Sequence, residues 1–153
     1  MKKMSVGMWI NCIAVILAIA AFCVYSVNIG GEGYYKDAAV SNLPLFALGA
    51  AAALALGGLL SMIGKGGKIA ELVSGVLRIG APALLSYGLM NLIAGRVDGL
   101  GYIYFSNADV AKEVQTAANM ASAQTAIWSM GLLGAAMLIA VIAAFFSLRK
   151  KNA

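Results

Sequence analysis

Four long apolar runs constrain this chain more than any other feature of its sequence. They lie at about 8–29, 44–63, 69–94 and 126–148. Each is long enough for a helix to cross a bilayer, which takes about 20 apolar residues. In hydrocarbon, only a helix or a closed barrel satisfies every backbone polar group. The sequence therefore predicts an all-α membrane protein, a four-transmembrane-helix bundle that forms a single integral membrane domain over 1–153.

The composition narrows the functions open to such a chain. Of its 153 residues, 62% are hydrophobic, only 11% are charged and none is histidine, whereas about 25% of a soluble domain is charged. Six carboxylates and no histidine leave few groups for acid–base or metal chemistry, so we expect no enzyme, no cofactor and no metal site. The basic residues lie at the ends of apolar runs, which is typical of membrane topology and argues against a nucleic-acid partner.

Lysine and arginine are distributed unevenly between the two sides of the predicted bundle. One side holds Lys2, Lys3, Lys65, Lys68, Arg149, Lys150 and Lys151. The other side holds Lys36, Arg96 and Lys112 among the acidic residues Glu32, Asp37, Asp98, Asp109 and Glu113. The positive-inside rule therefore predicts a plasma-membrane protein (of the cytoplasmic membrane in a bacterium) with both termini in the cytoplasm. The outer loops are then 30–43 and 95–125.

The first apolar run also has features of a signal peptide. Lys2 and Lys3 form a basic start, and the small residues at 18–20 resemble a cleavage site. The apolar stretch, however, continues past the roughly 7–15 residues of a typical signal core. We therefore expect an uncleaved first helix.

The second outer loop opens with three aromatic residues, Tyr102, Tyr104 and Phe105. Aromatic rings are enriched at the headgroup level of membranes. Such rings also suit a protein-binding surface. They are therefore candidate outer-loop contacts, either with lipid headgroups or with a partner.

Further along the same loop, Ser106 and Asp109 resemble a capping box with Asp in place of Glu. No proline follows them. The sequence therefore predicts a helix that begins near Asn107, runs outside the membrane and continues directly or through a bend into the fourth span. The small residues on its apolar face favour packing against the first outer loop or a partner.

Both outer loops carry the pattern G-x-G-Y, at 31–34 and 99–102. The repeat is compatible with a duplicated two-helix unit. In a chain with 18 glycines and 6 tyrosines, chance also produces such a pair. The sequence leaves both origins open.

Small residues recur at i, i+4 spacing in two of the runs. They are Gly49, Ala53, Gly57 and Ser61 in the second run, and Gly131 and Ala135 in the fourth. In lipid, such stripes let helix backbones approach closely. They predict helix–helix contacts, within one chain or between copies.

Arg78 is a charge well inside an apolar run. Helical spacing puts it on one side of the third helix with Glu71 and Pro82, and proline cannot donate to the carbonyl four residues earlier. In one interpretation the guanidinium extends back to Glu71 and the cytoplasmic headgroups, which lowers the roughly 2.5–3.5 kcal/mol cost of a charge at mid-membrane. In the other it faces the bundle interior, near Asn11 of the first helix, and binds an anion or gates a pathway.

Two functions from different classes fit these features. The first is a non-catalytic accessory or interaction subunit in the lipid bilayer, whose outer loops engage another membrane protein, an extracellular protein or a second copy. The second is a small oligomeric transporter or channel with Arg78 at an anion or gating site. The first apolar run lacks a carboxylate, which leaves a proton-coupled or cation-coupled mechanism without its central group.

Overall fold

A computed structural model describes residues 5–63 and 67–146, and within these ranges the regular structure is entirely helical. The helices are α1 (Val6–Gly30), α2 (Leu43–Ile63), α3 (Lys68–Ala94), α4 (Val97–Phe105), α5 (Ala108–Val114) and α6 (Ala117–Phe145). Over an 18-residue stretch within each of α1, α2, α3 and α6, the mean hydropathy is 2.4, 2.1, 1.4 and 2.2. The prediction of an all-α chain with four helices long and apolar enough to cross a membrane is confirmed.

Side-chain caps fix where α1 and α6 begin. The Ser5 hydroxyl accepts a hydrogen bond from the backbone N–H of Met8 at 3.2 Å, and the Thr116 hydroxyl accepts one from Asn119 at 3.2 Å. No proline or glycine lies between Thr116 and the expected start of the fourth span at residue 126, so α6 begins at Ala117, well before that start.

Much of the predicted orientation depends on basic residues outside the described ranges: Lys2, Lys3, Lys65, Arg149, Lys150 and Lys151.

The four long helices pack as a ring in which α1 and α3 each contact both α2 and α6. The buried interior is built mainly from alanines: Ala14, Ala18, Ala21, Ala47, Ala50, Ala81, Ala136 and Ala140. Because these side chains are short, the helix backbones approach closely and gain dispersion contacts, which is how helices associate where lipid removes the hydrophobic drive. Leu54, Leu85 and Leu133 fill the remaining space.

The two predicted small-residue stripes have different outcomes. Gly57 lies against α3, since a Cβ added to it would be 3.3 Å from Cγ of Arg78. A Cβ added to Gly49 or to Gly131 would meet nothing within 4 Å. α6 instead buries a face at Leu133, Ala136, Ala140 and Ala143. Within one chain, Gly131 therefore makes no close helix contact, because the buried face of α6 is chosen by its two neighbouring helices and not by residue size alone; contact between copies through this stripe stays a prediction.

Residues 95–116 join α3 to α6, and we call them the second connection. The helix cap predicted there is displaced by one residue. Ser106 ends α4, and its hydroxyl donates to the carbonyl of Tyr102 at 2.5 Å. The Asn107 side chain begins α5 by accepting from the backbone N–H of Val110 at 3.0 Å. A separate helix, α4, ends just before this point, so its last turn takes the serine and leaves the asparagine as the cap.

α5 does not run straight into α6. It ends at Val114, whose carbonyl accepts from the Asn119 side chain at 2.8 Å. The Gln115 side chain donates to the carbonyl of Ile103 at 3.0 Å. Val114 and Ile103 are buried together with Ala123 of α6. α4, α5 and the start of α6 therefore form a small second core.

Residues 31–42, which join α1 to α2 and which we call the first connection, fold back onto the start of α6. Gly33 has φ +114°, and a Cβ added there would lie 2.5 Å from the carbonyl oxygen of Ala118, so the position requires glycine. The ring of Tyr34 lies 6.0 Å from the ring of Tyr102, so the two G-x-G-Y segments meet. Their conformations differ, because 31–34 is irregular whereas 99–102 is helical.

Candidate functional site

The end of the bundle that carries the two connections holds a buried arginine, Arg96, which is 1% exposed. Its guanidinium donates to the carbonyls of Ala38 at 2.8 Å and of Gly95 at 3.3 Å. The guanidinium carbon lies 4.5 Å from the ring centre of Tyr35 and 5.7 Å from that of Tyr25. Carbonyl dipoles and ring faces thus surround this cation, and among the described groups Nε has no hydrogen-bond partner.

The two tyrosines join Arg96 to three other parts of the chain. The Tyr35 hydroxyl donates to the Arg96 carbonyl at 2.7 Å, and the Tyr35 backbone N–H donates to the Ser122 hydroxyl at 3.2 Å. The Tyr25 hydroxyl accepts from the backbone N–H of Val40 at 2.7 Å. Burial raises the pKa of Tyr35 to about 12, against the opposing effect of the guanidinium. Burial also lowers the pKa of Arg96, and the two tyrosines oppose that shift.

Asn28 of α1 completes the polar contacts at this end. Its amide donates to the Ser122 carbonyl at 2.7 Å and to the Thr125 hydroxyl at 2.9 Å. Its Oδ1 is buried without a partner among the described groups. We call this set the Arg96 layer, which consists of Tyr25, Asn28, Tyr35, Arg96 and Ser122.

Arg78 lies at the opposite end of the bundle, against the last turn of α6. Its Nη2 donates to the carbonyls of Ala143 and Phe146. The last carbonyls of a helix have no partner within the helix and carry the negative end of its dipole. The guanidinium therefore caps α6 from a neighbouring helix.

Three other polar side chains lie near the same level. The hydroxyls of Ser74 and Ser61 donate to the Gly57 carbonyl at 2.8 and 3.0 Å and lie 2.7 Å from each other. Asn11 donates to the Leu54 carbonyl at 3.0 Å, and its Oδ1 is buried without a partner among the described groups. We call this set the Arg78 layer, which consists of Asn11, Ser61, Ser74 and Arg78.

An apolar interior separates the two layers. From Ser122 to Ala143, α6 rises about 31 Å at 1.5 Å per residue. Between them, the buried Ser129 hydroxyl bonds to the Ala126 carbonyl of its own helix at 2.8 Å. The gap beside Phe22 and Leu133 leaves no room for a water molecule.

Two residues of the predicted intramembrane polar site, Asn11 and Arg78, lie at the same level of the bundle. Asn11 and Arg78 pack on opposite sides of α2, since Cβ atoms added to Gly58 and Gly57 would lie 3.1 Å from the Asn11 amide and 3.3 Å from Arg78 Cγ. Glu71 lies two turns before Arg78 on α3 and is exposed. The guanidinium contacts described for Arg78 thus go to α6.

The predicted outer-loop residues all lie on or near α4. All three side chains are exposed, Phe105 at 87%, and the ring of Tyr102 also packs against that of Tyr34. Arg96 was not predicted as a site residue, because in the sequence it is one charge in a polar loop. No local pattern marks it, since apart from the carbonyl of the adjacent Gly95 its partners come from positions 25 to 38.

No protein family, curated protein or solved structure matches this chain. Among the described residues, no group of three or more cysteines or carboxylates is placed to hold a metal ion. Function is therefore inferred from the two layers and from the surfaces around them.

Proposed function

We propose that the protein is a non-catalytic, multi-pass plasma-membrane protein that acts as an accessory or interaction subunit. Both termini are cytoplasmic, as the positive-inside rule requires of the lysine and arginine distribution. Its partner is another membrane protein, an extracellular protein or a second copy, bound at the outer end of the bundle.

The spacing of the two polar layers supports this placement in the bilayer. About 31 Å of α6 separates Ser122 from Ala143, and the hydrocarbon core of a bilayer is about 30 Å thick. On α1, Asn11 and Asn28 are about 26 Å apart by the same rise. The Arg78 layer then lies at the cytoplasmic boundary, and the Arg96 layer lies at the outer one.

The observation that carries the proposal is that the two connections form a folded platform. Arg96 joins them by bonding the Ala38 carbonyl, and Tyr34 packs on Tyr102. The glycine at 33 seats the first connection on α6. A pre-organised surface of this kind loses little conformational entropy when it binds a partner.

The charge of the platform indicates the chemistry of that partner. Because Arg96 is buried, the exposed basic residues of the described platform are Lys36 and Lys112. The exposed acidic residues are Glu32, Asp37, Asp98, Asp109 and Glu113. This excess of carboxylates favours a partner with a basic surface, and opposite charges would speed association.

Co-purification in mild detergent tests the proposal. The wild type should retain a stoichiometric partner, and the double variant Asp109→Lys, Glu113→Lys should lose most of it, increasingly as the salt concentration falls. Glu71→Lys is the control, because it reverses one carboxylate at the opposite end, which is half the charge change of the double variant, and it should retain the partner. Equal retention by wild type and double variant would contradict a partner site on this platform.

The alternative function is a small oligomeric transporter or channel with Arg78 at an anion or gating site. One observation favours it: Arg78 joins α3 to α6 one turn before Pro82, which weakens the helix at that point. Anion flux into liposomes that contain the purified protein tests it. Flux that Arg78→Leu abolishes would support the transporter, and absence of flux would oppose it.

A further inference from the structure

α4 has one buried face and one exposed aromatic face. Gly99 and Ile103 are buried. Val97, Tyr104 and Phe105 are exposed, and their i, i+7, i+8 spacing puts them on one side of the helix. α4 therefore carries apolar residues on both sides, toward the second core and at the surface.

Contacts along α4 lie near a single level of the bundle. Gly99 lies against Tyr35, since an added Cβ would be 2.7 Å from the Tyr35 hydroxyl. The backbone N–H of Tyr35 in turn bonds the Ser122 side chain. Ile103, a full turn later, packs with Ala123, the residue next to Ser122. α4 therefore runs across the bundle end at the level of the Arg96 layer.

The exposed face of α4 differs from that of α5. α5 exposes Asp109, Lys112 and Glu113, as a helix in water does. The exposed side of α4 is mainly apolar and aromatic at Val97, Tyr104 and Phe105, with the single carboxylate of Asp98 at its edge. Val97 follows the exposed Ile93 of α3 by four residues and the exposed Met90 by seven. One helix is thus suited to water, and the other extends the surface that meets lipid.

We propose that α4 is an interfacial helix whose Val97, Tyr104 and Phe105 face binds the headgroup and glycerol zone of the outer leaflet. Such helices bury their apolar face about 5–10 Å into this zone. The exposed face carries no lysine or arginine, and its one charged residue is Asp98, so burial of apolar and aromatic surface drives the binding, and a zwitterionic lipid suffices. The inference depends on the bilayer placement proposed above and not on any partner.

Tryptophan fluorescence tests this inference in protein free of partners. Trp9 and Trp128 are replaced by Phe, and Phe105→Trp then supplies a single reporter in phosphatidylcholine vesicles. Because Phe105 is 87% exposed, the larger ring needs no space in the protein. Lys112→Trp in the same background is the matched control on α5.

We expect Trp emission at 105 to shift to the blue, to be quenched by lipids labelled near the headgroup and to resist aqueous acrylamide. The control at 112 should show acrylamide quenching and no lipid quenching. Equal acrylamide quenching at both positions would overturn the inference by putting the face in water. Protection at 105 from both quenchers would also overturn it, because the face would then be covered by a second copy. If the partner of the platform is never found, the quenching result still stands or fails by itself.

Discussion

Arg78 and Arg96 lie at opposite ends of the bundle, and the order of their burial is the opposite of what their positions in the sequence suggest. Arg78 comes from an apolar run and ends half-buried at the last turn of α6. Arg96 comes from a polar loop and is 1% exposed beneath two tyrosines. Both guanidiniums bond main-chain carbonyls, but among the described residues only Arg96 also has ring faces around it. Burial of a long side chain is therefore decided by what folds over it and not by the polarity of its neighbours in sequence.

The two ends also differ in how tightly the backbone is arranged around the arginine. Next to Arg96, Gly33 has a left-handed backbone and Gly99 lies within contact of Tyr34 and Tyr35. Next to Arg78, Gly57 is helical and its added Cβ would meet a flexible Cγ. We therefore expect substitutions in the Arg96 layer to cost more stability than matched ones in the Arg78 layer.

The largest effect is expected for Gly33→Ala. The alanine would have to adopt φ +114° with its Cβ 2.5 Å from the Ala118 carbonyl oxygen, and strain with overpacking costs about 3 kcal/mol or more. The free energy of unfolding in detergent, measured by titration with a denaturing surfactant, checks this. The control is Gly101→Ala, where a Cβ meets nothing within 4 Å and helix propensity adds up to about 1 kcal/mol. If both variants unfolded like the wild type, the first connection would not be seated on α6.

Lysine substitution should separate the two arginines. Arg96→Lys should lose about 2–3 kcal/mol, because an ammonium cannot stack on Tyr35 and reach the Ala38 carbonyl in the same way. Arg78→Lys should lose less than about 1 kcal/mol, because a lysine can reach both the end of α6 and the interface. The same surfactant titration measures both.

Arg78→Leu supplies a further test of the same end. It should insert as well as the wild type, since a charge has been removed from the span. It should lose about 1–2 kcal/mol of unfolding free energy, because the carbonyls of Ala143 and Phe146 lose the bonds from the guanidinium, although Ala143 keeps the bond from the backbone N–H of Phe146. For the two lysine variants described above, equal losses of unfolding free energy in Arg78→Lys and Arg96→Lys would contradict the expected difference between the two ends of the bundle.

The Arg96 layer should also make stability depend on alkaline pH. The pKa of Tyr35 is raised from 10.0 to about 12, so the folded state favours the neutral phenol. This contribution is complete below pH 10 and is lost as the pH rises from about 10 to 12. Tyr35→Phe should flatten this part of the stability profile, measured as the difference from the wild type. A parallel decline in both proteins would mean that Tyr35 does not contribute.

The smallest effects are expected at two glycines of α2, of which Gly58 lies against α1 and Gly49 lies on an open face. Gly49→Ala adds a Cβ that meets nothing within 4 Å, so the change should be within about 0.5 kcal/mol. Gly58→Ala places its Cβ 3.1 Å from the Asn11 amide and should lose about 1 kcal/mol. A large loss of stability or of self-association in Gly49→Ala would instead assign this face to contacts between copies.

The sequence alone predicted the architecture of the bundle. The four long apolar runs became α1, α2, α3 and α6, because the length and hydropathy of each run are properties of the run itself. It also predicted that a helix follows Asn107, although the cap is one residue later than expected. A helix cap depends on three or four consecutive residues, and an apolar run depends only on its own residues. Neighbours in sequence are therefore sufficient to predict both.

Only the tertiary structure decided which side chains are buried between the helices. The distant partners of Arg96 are Tyr25, Tyr35 and Ala38, and all of α2 and α3 lies between them and Arg96 in the sequence. They reach it only because α1, α2 and α3 pack in sequence around a ring. The buried face of α6 was fixed in the same way, since Gly131 and Ala136 are both small and only the neighbouring helices distinguish them. Hydropathy describes how a segment interacts with its solvent, whereas contacts between distant segments depend on geometry that no single segment contains.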